Sequence, residues 1–285
     1  MDIPRRNVEL AFDPATIPRD WLNADAYETT FMNALSLLFP EGEQFFVRSV
    51  KALQDRITDP ELQREVVGFI GQEATHGREH RDFNELLVGH GFAEAPRVDL
   101  GLKRFLQRVR KVLSPHSQLA ATCALEHFTA MLAEQLLRDA RLRNAIHETV
   151  RPLWLWHALE ESEHKAVAFD VYRATGGGYV RRAAIMVLTT AVFFAVQLVV
   201  HLRLMATRGV LGKPWRWLRG ATRLYVYPGF LVRHIPAYLA YFRPGFHPND
   251  RDTTALLATW RDELFGANGV MREKLAPARD GLLAS

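Results

Sequence analysis

Two segments of this chain repeat one spacing. Glu73-Ala74-Thr75-His76 and Glu161-Ser162-Glu163-His164 both read Glu-x-x-His within stretches of helical periodicity. Positions i and i+3 of a helix share a face, so each motif aims a carboxylate and an imidazole in one direction. Each also has a lone carboxylate upstream, Glu43 before the first and Glu126 before the second. The intervals, 30 and 35 residues, each fit two antiparallel helices and a turn. Glu126 lies in the apolar run LAATCALEHFTAML, where an unpartnered carboxylate would be costly. Four carboxylates and two imidazoles spread over four helices are what a two-metal site inside a bundle needs.

The rest of the chain supports a helical reading. No stretch alternates convincingly with a period of two, and apolar residues recur at helical steps, as in Phe31, Leu35 and Leu38. Pro40 is expected to end that first helix, with a second running from Glu41 to about Ile57. Asp59 and Pro60 form an N-cap and first helical position for a helix reaching about Gly89. Residues 89–98 read as a loop and 99–113 as a short amphipathic helix. Ser114-Pro115 opens a long helix to about Asp139, and a brief polar helix covers 141–149. Pro152 opens the helix of the second motif, which Gly176-Gly177-Gly178 stops. Residues 1–20, punctuated by proline, read as an arm on the surface. The expected fold is all-α: a ferritin-like four-helix bundle with extra helices over 1–178, then an apolar, basic helical extension over 179–285.

Around the two motifs, His157 precedes Glu161 by four residues and falls on the same face, extending the pattern to His-x-x-x-Glu-x-x-His. His80 stands in the mirrored relation to Glu73 and His76 as a weaker candidate. Gln72 and Glu160 each precede a motif glutamate, and each can accept a hydrogen bond from the ring N–H of the opposite histidine. Glu163 sits about 120° off the metal face, exposed or paired with arginine. His127 reads as a satisfied core histidine and Cys123 as a buried, inert thiol. A Glu/His donor set without cysteine favours two iron ions, or manganese, over a structural zinc. Four carboxylates offset the charge of a divalent pair.

Composition removes some classes. The net charge of +4 is too small to argue for nucleic acid, and a single cysteine allows neither an internal disulfide nor a cysteine-based zinc site. The first twenty residues contain no apolar signal region, which leads to an expected cytoplasmic location.

The runs FPEGEQFF (39–46), GQEATHGREH (71–80), ALEHFTA (124–130) and WHALEESEHKAVAFD (156–170) resemble the bacterial predicted metal-dependent hydrolase family, over about residues 10–265. More distantly, the ligand grammar is similar to that of ferritin-like di-iron carboxylate enzymes. The histidine before Glu161 resembles the p-aminobenzoate N-oxygenase group, whose second metal has an added histidine. Carried over by position, this likeness implies ligands Glu43, Glu73, His76, Glu126, His157, Glu161 and His164. Little else resembles those oxygenases, so their arylamine substrate is not carried over.

After the motifs, Ala183–Val200 is 18 residues long without a charge, at the lower edge of a membrane span. Basic residues flank both ends, which disfavours a simple single span. The next apolar stretch, 224–242, is broken by Pro228, Gly229, Arg233, His234 and Pro236. A fifth buried bundle helix, a membrane-facing pair and a true span or hairpin all remain open, with the inner face of the membrane as the alternative location. The donor set points first to a di-iron oxidoreductase that takes dioxygen, an electron donor and a small apolar or lipid-like substrate, because the set is imidazole-rich and lacks Asp. The alternative is a hydrolase using metal-activated water. A third, non-enzymatic reading is a metal-storage or binding module. The assembly state, a homodimer included, stays open.

Overall fold

Asp25 starts the first helix. Its carboxylate accepts the Tyr27 and Glu28 N–H groups, and α1 runs Ala26–Gln54. Asp59 caps α2, Pro60–Gly89, in the same way, with Pro60 at its first position. The computed structural model describes residues 3–226 and 229–276 of the chain; Pro228 and positions 277–285 of the expected extension lie outside them.

Pro40 does not end a helix; it lies inside α1. Proline removes its own N–H and leaves the carbonyl four residues back, that of Ser36, without a helical donor. Asn84 of α2 supplies one, donating Nδ2–H to Ser36 O at 3.1 Å. The two helices expected on either side of Pro40 are therefore one.

The remaining helices are α3 Ala95–Val112, α4 Pro115–Arg138, α5 Ala140–Ala145, α6 Arg151–His164, α7 Val167–Ala174, α8 Tyr179–Thr207, α9 Pro214–Ala221, α10 Ile235–Ala240 and α11 Thr254–Phe265. Apart from two isolated bridges, Val8 with Leu275 and Leu22 with Ile146, the described residues contain no extended pairing, so the chain is all-α. The expected single helix after Pro152 breaks at Lys165-Ala166, where no Pro or Gly announces it. The polar helix expected over 141–149 is a single short turn-and-a-half, α5.

Four helices enclose the centre: α1 packs on α2 and α4, and α6 closes the ring against α4 and α2. One apolar cluster gathers Trp21, Phe83, Trp154 and Trp156 with leucines of α1, α2 and α6. A second joins Phe45, Phe46, Phe69, Leu119, Phe169 and Tyr172. Outside the ring, α8 lies on α1 and α4, and α11 on α6.

The N-terminal arm is not a surface strap. Ile3, Val8 and Ile17 are buried, and Glu9 and Ala276 exchange backbone hydrogen bonds with Lys274 and Asn7 across the chain ends. It seats on α2 at Gly68, where an added Cβ would meet Ile3 O at 2.6 Å. No larger residue could stand there without displacing the arm.

Candidate metal centre

The four inner helices deliver their polar groups to one place. α1 contributes Glu43; α2 contributes Gln72, Glu73, His76 and His80; α4 contributes Glu126; α6 contributes His157, Glu160, Glu161 and His164. None of Glu43, Glu73, His76, Glu126, His157, Glu161 and His164 is more than 4% exposed. They form two sets, Glu43 with His76 and His157, and Glu73 with Glu126, Glu161 and His164; within each, one donor atom per residue lies within 4.8 Å of the others. His157 thus stands beside Glu43 and His76.

Glu161 joins the two sets. Its Oε1 is 3.0 Å from His157 Nε2, 3.4 Å from His76 Nδ1 and 3.5 Å from His164 Nε2. His164 Nε2 also lies 3.0 Å from Glu73 Oε1 and 3.5 Å from Glu126 Oε2. Gly77 gives Glu43 room to enter, since a Cβ there would stand 3.2 Å from Glu43 Oε2.

Most of the donor atoms lack a hydrogen-bond partner. Both carboxylate oxygens of Glu43, Glu73 and Glu126, Oε2 of Glu161, Nδ1 of His76 and Nε2 of His164 make no hydrogen bond despite full burial. An orphaned buried polar atom costs about 1–3 kcal/mol, and native interiors hold few of them. Nine converging on one point fit divalent cations, which accept lone pairs from oxygen and nitrogen alike.

The far side of each ring is held, and the holding sets which nitrogen faces the cluster. Glu160 Oε2 lies 3.0 Å from His76 Nε2, and a carboxylate only accepts, so Nε2 carries the hydrogen and Nδ1 offers its lone pair inward. Gln72 spends its amide hydrogens on Pro4 O and Glu163 Oε2, leaving Oε1 to accept from His164 Nδ1 at 2.8 Å and freeing His164 Nε2. The third ring is set by a longer chain. The Ser36 carbonyl orphaned by Pro40 fixes the Asn84 amide, whose Oδ1 accepts the Ser36 hydroxyl at 2.8 Å. Ser36 Oγ then accepts from His80 Nδ1 at 2.8 Å, and His80 Nε2 accepts from His157 Nδ1 at 2.6 Å. His157 Nε2 is left facing Glu43 and Glu161. Burial, helped by the neighbouring histidines, holds His80 well below the usual imidazole range and His157 down at about 4, so both are neutral as the chain requires.

Asn84→Leu cuts this chain while keeping the residue's size. The protein is expected to fold, to lose about 1–3 kcal/mol for the stranded Ser36 carbonyl, and to bind metal at the Glu43, His76 and His157 set about 10–100-fold more weakly. Calorimetric metal titration beside a denaturant melt separates the two effects.

The carboxylates lack positive charge of their own. Burial and then Glu73 push Glu43 and Glu126 well above the usual carboxylate range. Burial opposes a charged His76, yet the hydrogen bond it donates to Glu160 and the nearby Glu161 carboxylate outweigh it and pull the ring up to about 10. Glu161 stays well below its ordinary value because three histidines offset its burial. Protons gather where cations would sit.

A third layer was invisible in the sequence. Arg6, on the arm, donates to Glu163 at 2.7 and 2.8 Å and to Glu160 at 2.9 Å. Arg261 of α11 adds a bond to Glu163 at 2.6 Å. Glu163 is therefore buried, taking the arginine-paired course, and the arginines outweigh its burial to hold it below the ordinary range. No spacing rule connects Arg6 to a partner 154 residues away. His127 lies off the centre on Ala237 O, and Asp170 on His247. Cys123 is buried, its thiol pushed well up by burial.

A cavity of about 300 Å³ leads to the centre. His157 and Glu161 are among its lining residues, with Leu35, Phe39, Leu132, Arg223 and Arg233.

A family model described as predicted metal-dependent hydrolase matches residues 4–252. The chain belongs to the predicted metal-dependent hydrolase family. No curated protein and no solved structure matches it. Membership corrects the expected function: the imidazole-rich, Asp-free donor set had favoured an oxidoreductase, but the predicted metal-dependent hydrolases are described by the reading held second. The error came from weighing ligand types, which redox and hydrolytic centres share, as though they selected the chemistry. For a member of the predicted metal-dependent hydrolase family, a buried cluster able to hold metal ions is the expected equipment.

Proposed function

We propose that the chain is a metal-dependent hydrolase that cleaves an ester or amide of an apolar acyl group. Glu43, His76 and His157 would hold one cation, and Glu73, Glu126 and His164 the other, with Glu161 between them. Iron or manganese suits the donors, and zinc is equally acceptable to them in hydrolysis. When bound, such a pair polarises a carbonyl and lowers the pKa of water. The protein's residues do the rest. Glu160 and Gln72 orient their histidines, Arg6 and Arg261 balance the outer carboxylates, and Phe39, packed against His157, keeps bulk water from the cluster.

The observation that carries this reading is the meeting of cavity and cluster: a largely apolar cavity whose lining includes His157 and Glu161. Its walls suit an acyl chain. Two of its lining arginines, Arg223 and Arg233, paired with Glu28 at 2.6 Å and Asp139 at 3.2 Å, provide polar ground for the substrate's other end.

The test uses p-nitrophenyl esters of increasing acyl length with protein loaded with zinc, manganese or iron. Turnover is expected, with kcat/KM rising from acetate to octanoate by at least tenfold, since each buried CH₂ contributes about 0.8 kcal/mol. Leu132→Trp should flatten that rise. Absence of turnover with every metal and ester would remove the proposal.

A further inference from the structure

The helix α8 is built inside out. From residue 184 to 199 its exposed positions are Ala184, Val187, Leu188, Ala191, Phe194, Ala195, Leu198 and Val199, all apolar and recurring at steps of three and one. At 1.5 Å per residue this is an unbroken apolar stripe about 24 Å long. Its polar side chains point the other way. Gln197 donates to Phe31 O at 2.9 Å, His201 Nε2 meets Tyr27 O at 3.0 Å, and buried Arg182 donates to Arg243 O at 2.9 Å. Only 17% of the most apolar window of α8 is buried, so it is not the buried fifth bundle helix that was one reading of the sequence. The bonds of Gln197 and His201 tie it to α1 and that of Arg182 to the segment after α10, and a crossing of the bilayer would strand them.

The stripe has company. Phe105 of α3 and Val232, Ile235 and Leu239 at and before α10 are also exposed. Side chains of α3 and α8 share one cavity, and side chains of α8 and α10 another. Between Asp170 and Asp250 the chain has no acidic residue and eleven Lys or Arg. Exposed Arg181 marks one end of α8, and exposed Arg203, Lys213, Arg216 and Arg219 follow the other, with Trp215 80% exposed among them.

We propose that this face docks on an anionic phospholipid bilayer, with α8 lying in the plane of the interface. An apolar stripe between basic ends, with an aromatic residue at the rim, matches acyl chains below and anionic headgroups around. A second copy of the chain would bring basic end against basic end in either direction. The cavity between α3 and α8, about 110 Å³, is lined by Thr189, Val192, Phe193 and Val196 and reaches Glu43. On the hydrolase reading, on which this part rests, it gives a bilayer-dissolved substrate an apolar route to the metal centre; the docking stands without it.

The experiment is co-sedimentation of the metal-loaded protein with vesicles of phosphatidylglycerol and phosphatidylcholine, or phosphatidylcholine alone. Binding is expected on the anionic vesicles, at least tenfold weaker on the neutral ones. It should be at least tenfold weaker again in Leu188→Glu/Phe194→Glu/Leu198→Glu, whose substitutions are all at exposed positions. Bromine-labelled lipids should quench wild-type fluorescence, and less so in Trp215→Phe; this reading needs no stripe variant to fold. Wild-type protein that stays in the supernatant, or a folded triple variant that binds unchanged, would overturn the proposal. So would a dimer in sedimentation velocity that the triple variant abolishes while vesicles are ignored. Vesicle binding without ester turnover leaves the docking intact and counts only against hydrolysis; turnover without vesicle binding does the reverse.

Discussion

Glu161→Gln is expected to leave the helices intact and strip the centre of its function. Among the carboxylates of the cluster, Glu161 approaches histidine nitrogens of both sets, with Oε1 3.0–3.5 Å from His157, His76 and His164. Glutamine keeps the shape of the side chain but removes a negative charge and replaces one acceptor oxygen with a donor NH₂. An amide oxygen can take the place of Oε1, but the NH₂ then replaces Oε2, which is buried in the cluster without a partner, and a donor cannot face a cation. The metal content, expected at about two per chain in the wild type, should fall below one. Loss of a partner that only orients a ligand typically costs 10–100-fold in affinity or activity, and loss of the shared ligand should exceed ~100-fold in ester hydrolysis. Elemental analysis with kinetics on the same preparation checks both. A variant retaining two metals and full turnover would show that Glu161 is not shared.

Chelation gives the second large effect. Removing the ions should lower the melting temperature, and the loss should grow with pH. A ligand at a thousand times its Kd stabilises by about 4 kcal/mol, which for a chain of this size is about 10 °C. The sign follows from the direction of each shift. Glu43 and Glu126 are raised by burial and by Glu73, so without metal the folded state holds protons that the unfolded chain has released above its ordinary carboxylate range. Their contribution is favourable at low pH and is lost as pH rises through the folded values. His76, raised to about 10 by Glu160 and Glu161 against its burial, acts in the same direction: its contribution is complete below about 6.5 and gone above about 10. Above about pH 6.5 the chelated protein therefore becomes less stable as pH rises; below it, the histidines that burial holds low, His80 and, at about 4, His127, His157, His201 and His234, pull the other way. The loaded protein gains as pH rises, because metal uptake must expel those protons. Melting curves with and without chelator at pH 5, 6.5 and 8 should diverge. Parallel curves would argue against a metal held by these groups.

The parts of the site that were legible in the sequence are those within a few helical turns of one another. Glu73 with His76, and His157 with Glu161 and His164, share faces because helical rotation alone places them so. The capping of His76 by Glu160 and of His164 by Gln72 joins residues 84 and 92 positions apart, but each partner is next to a motif glutamate, and the repeated pattern made the exchange readable. Arg6, Arg261 and Asn84 carried no such signal. Arg6 is one of many arginines in the chain, and its role depends on an arm that buries Ile3 and Val8, which a proline-rich polar opening gave no reason to expect.

Local chemistry by itself determined that the chain is helical, where Asp59 starts its helix, and which carboxylates and imidazoles share a face, since each of these depends on neighbours within a turn or two. Only the folded molecule decided that Pro40 sits inside a helix, because the missing hydrogen bond is replaced from α2. It also decided that His157 stands with Glu43, because two helices far apart in the chain converge there. And it turned the apolar side of α8 outward: hydropathy measures how much a helix wants to leave water, but which side it turns to the protein is set by where Gln197 and His201 find carbonyls to bond.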